Sequence, residues 1–313
     1  QEANDVPYKS RRDGIMHACG HDVHTSSLLG VVRLLSQIRD RFDGTVRCIF
    51  QPGEERMPGG ASIMIKEGVL RAPKPDCIVG QHVYPLLPAG HFGFRSGAFM
   101  ASADEIRLVV RGRGGHGAVP QFTIDPIVVS AHIITALQTV VSRTSDPVMP
   151  SVLTFGKINS DGGTFNVIPG SVELLGTFRT FDEDWRRRAH KKIREIATGV
   201  AESFGASCSV DITVGYPFLV NDPELTEFCR ERATDLVGEE CVHDLPMRMT
   251  AEDFAYFSHE VAGCFYRLGV ANEEKGIKSP VHTPTFDVDD LALQVGPALM
   301  AYIAVSRLGD RMT

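Results

Sequence analysis

Between residues 99 and 215 the sequence changes its pattern, and this interruption constrains the fold more than any other feature. ADEIRLVVRG (103–112) reads as a strand. IDPIVVSAHIITALQTVVSR (124–143) reads as a helix with Ile127, Ala131, Ile134 and Val141 in register. SVLTFGKINS and SVELLGTFRT are strands joined by a loop rich in glycine and asparagine. DEDWRRRAHKKIREIATGVAESFG (182–205) is a helix with Trp185, Ala189, Ile193, Ile196, Val200 and Phe204 on one stripe and a basic, solvated opposite face, and SVDITVGY closes the set. The order β-α-β-β-α-β is that of a small ferredoxin-like unit.

The flanks read differently. Residues 22–42 place Leu28, Val32, Leu35 and Ile38 on a helical stripe, and TVRCIFQ then reads as a short buried strand. The glycine-rich loop GEERMPGG leads into a helical ASIMIKEGVL, followed by a second buried strand, CIVGQHV (77–83). Strand, crossover helix and strand indicate a parallel sheet. After residue 216 come a helix near 223–237, the strand CFYRLGV and a final helix from Asp289 to Leu308. The expected fold is therefore α/β. A domain with a mixed, mostly parallel sheet (1–98 and 216–313) is interrupted by an inserted α+β ferredoxin-like domain (99–215).

A formal charge of −7 argues against a nucleic-acid partner, which calls for a basic face. No apolar run approaches the roughly 18–20 residues expected of a membrane span, and QEANDVPYKSRRDG is too polar for a signal peptide. Seven scattered cysteines with no CxxC pair point to a reduced, cytoplasmic protein. The chain opens at Gln1 rather than methionine, and the expectation is that the natural protein extends beyond it.

Against that background, HACGHDVH (17–24) gathers three histidines, a cysteine and an aspartate just before a helix. Glu54 and Glu55 follow TVRCIFQ, His82 ends CIVGQHV, and His282 sits in VHTPTF. In open sheets ligands bind at the carboxyl ends of strands, where the first three of these groups fall. Thiolate, imidazole and carboxylate together suit zinc-like cations. A bridging group is needed if two ions share a water, and a cysteine sulfur has the lone pairs for it. Asp22 could instead cap the helix, and cysteine beside histidine also suits a thiol nucleophile.

MHACGHDVHT, FQPGEE, GQHVYP, GRGGHGAVP, FNVIPGSVELLGTFRT, TAEDFAYF and HTPTF, in this order over nearly the whole chain, resemble the M20 metallopeptidases, specifically their aminoacylase and amidohydrolase branch. The resemblance implies Cys19, His21, Glu55, His82 and His282 as ligands of two divalent metal ions, zinc first, with manganese, cobalt or nickel as alternatives. It implies Glu54 as general base, and His17 and His24 as supporting residues. His116 would cross a homodimer formed by the inserted domain, here a lid, to steady the oxyanion in its partner's site. Asn166 and Arg179 would hold the substrate's carbonyl or carboxylate. The implied reaction is hydrolysis of an N-acyl amino acid by a metal-activated water. The rivals are dipeptide or carboxypeptidase hydrolysis, thiol hydrolysis through Cys19, and an inactive remnant, because the family's upstream segment has no counterpart before Gln1.

Overall fold

The computed structural model describes residues 1–162 and 164–309. In chain order the helices and strands are α1 (His21–Gln37), α2 (Gly60–Lys66), β1 (Cys77–Pro88), β2 (Phe92–Phe94), β3 (Gly97–Met100), β4 (Asp104–Arg111), β5 (Gly115–His116), α3 (Pro126–Thr139), β6 (Ser151–Ser160), β7 (Val167–Ile168), β8 (Ser171–Thr180), α4 (Glu183–Ser203), β9 (Ser207–Val214), β10 (Leu219–Asn221), α5 (Pro223–Val237), β11 (Val242–Asp244), α6 (Ala255–Ser258), β12 (Ala262–Ala271) and α7 (Ala292–Leu308). The chain is mixed α/β with mixed sheets.

Among the described residues one sheet has the order β1-β12-β2-β11. β1 runs parallel to β12, β12 antiparallel to β2, and β2 parallel to β11. Its core joins Val83, Phe92, Phe94, Tyr266 and Leu268 to Leu225 and Cys229 of α5 and to Leu299 and Ile303 of α7. Helix α1 packs on α7 through Val31, Leu35 and Ala301. The buried side of α1 is Val23, Ser27, Val31 and Leu35, so the expected stripe is right at Leu35 and wrong at Val32, which is exposed.

TVRCIFQ is not a strand. Residues 45–51 form no ladder and face β1 across a cleft of about 840 Å³ lined by Val46, Ile49, Cys77, Val79 and Ile303. An apolar, β-branched run specifies extended backbone, whereas strand pairing also needs a neighbour at the right edge. β1 is accordingly the edge of its sheet.

The second large sheet has the order β6-β8-β4-β9 and is antiparallel throughout. Helices α3 and α4 bury Val129, Ile133, Leu137, Trp185, Ala189 and Ile193 with Ile106, Leu108, Leu174 and Phe178. The expected stripe of α3 is right at Ile134 and Val141, which pack partly buried against this core, and wrong at Ile127 and Ala131, which are exposed; Val129, Ile133, Leu137 and Val140 are its buried residues. A helix apolar on nearly every side carries little periodicity to read. Together with its continuation, α3 (126–144) is also apolar enough by length and composition to cross a bilayer, contrary to expectation. Only 28% of that stretch is buried, on the side that packs against the antiparallel sheet.

Within this unit a buried ion cluster ties α4 to β4. Arg186 Nη2 donates to Asp104 Oδ1 (2.6 Å) and to the carbonyl of Gly215 (3.1 Å), and His190 Nε2 lies 2.6 Å from Asp104 Oδ2. Burial alone would raise the Asp104 pKa, but the bonds from His190 and Arg186 outweigh it and hold the carboxyl below its usual range.

Candidate metal centre

The centre starts with a glycine. Gly20, immediately before α1, has φ +79°, and a Cβ there would lie 2.5 Å from Val83 Cγ2. Only glycine lets the Cys19–His21 turn press this closely on β1. The result places Cys19 Sγ 3.5 Å from His82 Nε2. The other ring nitrogen of His82 is 2.8 Å from the carbonyl of Val83, so Nδ1 carries the proton and Nε2 presents its lone pair to the site.

The glutamate pair sits in a loop, as it must if neighbouring side chains are to face one site. Both carboxylates reach His21: Glu54 Oε2 and Glu55 Oε1 each lie 3.8 Å from His21 Nε2. Asp253 holds this loop at both ends. It accepts from the side chain of Gln51 and from the backbone N–H of Ala61 at 3.1 Å. Tyr216 adds a hydrogen bond from its hydroxyl to the carbonyl of Glu54.

His282 arrives from the opposite side in a left-handed conformation, φ +63°. Such a residue costs about 1–3 kcal/mol of strain and persists where the surroundings fix it. Here its N–H is bonded to the carbonyl of Ala18 (2.6 Å), and its Nε2 lies 3.1 Å from Glu55 Oε1.

Ligand atoms thus converge within 4.8 Å of one another in overlapping groups: Cys19, His21 and His82; Cys19, Glu55 and His282; His21, Glu54 and Glu55. Cys19 is shared by two groups, which suits a bridge between two cations. The electrostatics fit the same group. Burial, then Glu55 and Asp253, push Glu54 up to about 7. Glu252, fully buried, is raised well above the ordinary range by burial and by Glu54 and Asp253, and the Cys19 thiol is raised by burial and Glu55. Divalent cations would relieve this mutual repulsion and stabilise the thiolate. A thiol nucleophile needs an electropositive setting, and Cys19 faces glutamates.

His17 is exposed, and His24 accepts from the N–H of Val83 at 3.0 Å while burial lowers its pKa to about 3. His24 is thus a neutral prop for β1, in line with its supporting role. His116 lies away from the ligand groups on β5, exposed, with Nδ1 accepting from the N–H of Ala118 at 3.1 Å. Asn166 is its neighbour, its carbonyl accepting from Gly117 N–H at 2.7 Å. Arg179 is not beside them: its Nη1 donates to the carbonyl of Met249 at 2.9 Å. Sequence reasoning assigned no role to Asp253, Glu252 or Tyr216. The signal for the first two was the acid pair of TAEDFAYF.

Residues 1–303 match the model of peptidase family M20/M25/M40. Thermostable carboxypeptidase 2 of Saccharolobus solfataricus is 39% identical over 307 residues, covering 97% of this chain and 77% of that protein. The N-acetylcysteine deacetylase of Bacillus subtilis is 37% identical over 305 residues, with the same coverage of each. The solved YXEP protein of Bacillus subtilis, described as a dinuclear metal-binding peptidase from the M20 family, superposes with a TM-score of 0.81 at 33% identity, over 98% of this chain and 78% of its own. The turn before α1, two loops and the middle of β1, which runs on past His82 to Pro88 rather than ending there, bring thiol, imidazole and carboxylate ligands together, and both sequence and fold relatives lead to the same place: the chain belongs to peptidase family M20/M25/M40, a family of hydrolases.

Proposed function

We propose that the chain hydrolyses the amide bond of N-acyl amino acids, releasing a carboxylate and a free amino acid. The observation that carries this reading is the convergence of Cys19, His21, Glu55, His82 and His282 beside a glutamate, Glu54, that remains free to move protons. Relatives named N-acetylcysteine deacetylase and IAA-amino acid hydrolase support the substrate class. Carboxypeptidase activity is the second reading, favoured by the Saccharolobus relative.

The five ligands would hold two divalent cations, zinc first on account of the thiolate, with manganese, cobalt or nickel as alternatives. Bound there, such ions supply Lewis-acid activation of a water and of the scissile carbonyl. Glu54 accepts the proton of the attacking water and returns it to the leaving amine, and burial beside other acids favours both halves of that exchange. The α+β unit over 99–215 serves as a ferredoxin-like lid and dimer interface, so that His116 of a second copy steadies the developing oxyanion. Exposed Ile127 and Val128 on α3 give such an interface an apolar surface. A reducing, cytoplasmic setting suits the seven free thiols.

The test is turnover of N-acetyl amino acids and of dipeptides by the metal-loaded protein. Hydrolysis of the N-acetyl compounds, with dipeptides slower, is expected. Dipeptide cleavage without any action on N-acyl amino acids would replace this reading by the second.

A further inference from the structure

The chain enters the antiparallel sheet through residues 101–103, between β3 and β4, and leaves it through residues 215–218, between β9 and β10. β3 pairs with β10 and β4 with β9, both antiparallel, so the two crossings run side by side. They are also tied to each other. The N–H of Ala103 donates to the carbonyl of Tyr216 (3.0 Å), and the N–H of Gly215 donates to Asp104 Oδ1 (3.2 Å). Asp104 is the carboxylate that Arg186 and His190 hold from α4, so the exit crossing is anchored to the core of this sheet.

From the double crossing two contacts reach the loop that carries Glu54. The Tyr216 hydroxyl donates to the carbonyl of Glu54 itself. Three residues further along the loop, Met57 packs on Gly215: a Cβ at 215 would lie 2.5 Å from Met57 Cε and 2.3 Å from the carbonyl oxygen of Ala103. The Tyr216 ring is fixed in turn. It is 7% exposed and meets Tyr256 of α6 edge to face, with centroids 6.1 Å apart, and the Tyr256 hydroxyl donates to the Gly215 carbonyl (3.3 Å). The Asp253 clamp holds the loop at Gln51 and Ala61, and the contacts from the crossing hold its middle. The Glu54 carbonyl belongs to the planar peptide unit that joins Glu54 to Glu55. A bond that fixes this plane therefore orients the proposed base and a proposed ligand together.

We infer that Tyr216 is a positioning residue for the reaction: its hydroxyl sets the peptide unit between Glu54 and Glu55, so that the pose of the general base depends on how the 99–215 unit is seated at the crossing. Tyr216 itself touches no reacting atom. Any turn of the unit about the crossing is carried to Glu54. The consequence for turnover rests on the amidohydrolase reading; the mechanical tie does not.

The experiment compares metal-loaded wild type with Tyr216→Phe, which keeps the ring against Tyr256 and removes only the hydroxyl. Turnover of N-acetyl-L-methionine is one readout, and deuterium uptake by the segment 51–61 is the other. Misplacing a catalytic group by about an ångström costs on the order of 100-fold in rate. Losing one neutral hydrogen bond corresponds to roughly 2- to 10-fold in local opening. Tyr216→Phe is therefore expected to lower kcat about 10- to 100-fold with KM and metal content little changed. Exchange over 51–61 should quicken about 2- to 10-fold while the β4–β8 ladder keeps its protection. Tyr256→Phe, which loosens the crossing without touching the loop, should give a smaller effect in the same direction and add little in the Tyr216→Phe background. Unchanged exchange over 51–61, exchange quickened evenly along the chain, a kcat loss that follows loss of the metals, or fully additive effects in the double variant would overturn the inference. Wild type that leaves N-acetyl-L-methionine intact, with 51–61 still responding to Tyr216→Phe, would sink the amidohydrolase reading and leave the tie in place.

Discussion

Asp253 and Gly20 shape the centre from outside the five proposed ligands. Asp253 ties Gln51 to the start of α2 and so fixes the loop carrying Glu54 and Glu55. Replacing it with alanine is expected to lower metal affinity about 10- to 100-fold, as loss of an outer-shell partner typically does. A competition titration against a chelator checks this, and unchanged affinity would show that the loop holds its shape without the clamp. For Gly20→Ala, the positive φ and the collision with Val83 predict a loss of about 1–3 kcal/mol in urea unfolding. Glu54→Gln should retain the metals and lose activity by about two to four powers of ten. Near-normal turnover would mean that another group is the base. At this scale the sequence was highly legible where residue types are rare: a thiol and histidines crowded at one bend, and a glutamate pair after a β-rich run. The clamp made by Asp253 was not legible: TAEDFAYF displays an acid pair, but its tie to Gln51 and Ala61 is known only once the 51–61 loop is in place.

At the scale of elements, strand and helix identities came through better than their faces and edges. α4 repeats Trp185, Ala189 and Ile193 as read from the sequence, because its other side is strongly charged. α3 has no such contrast, and of its expected stripe only Ile134 and Val141 pack on the core. TVRCIFQ has strand composition, but pairing is decided by other segments. The Asp104–Arg186–His190 cluster links β4 to α4, with Asp104 fully buried and Arg186 3% exposed. Removing one member of such a buried pair strands the other, so Asp104→Asn should cost about 3–5 kcal/mol. The pH dependence follows from the depressed pKa of Asp104. The carboxylate's contribution is complete above the unfolded value near 4 and is lost as pH falls through the lower folded value. The stability gap between wild type and Asp104→Asn, from urea melts at stepped pH, should stay level from about pH 5 to 7 and close below about pH 4. A gap independent of pH down to about pH 2 would rule out an ionised Asp104.

For the whole molecule, the order of motifs revealed that distant segments meet in one centre, but the register of that meeting came only from the fold. The His82 position beside Arg267 on β12 and the left-handed turn at His282 are products of tertiary packing. The dimer proposed for the 99–215 unit predicts that Ile127→Glu yields a monomer in analytical ultracentrifugation, with activity falling because His116 would no longer reach a second centre. A monomer with full activity would remove His116 from the chemistry. The central claim is that Cys19 and its four partners enclose two cations, and cobalt titration of metal-free protein tests it most directly. Saturation near two equivalents, with a thiolate-to-cobalt absorption band that disappears in Cys19→Ser, is the expected result; no saturable uptake, or a band unaffected by that substitution, would contradict it.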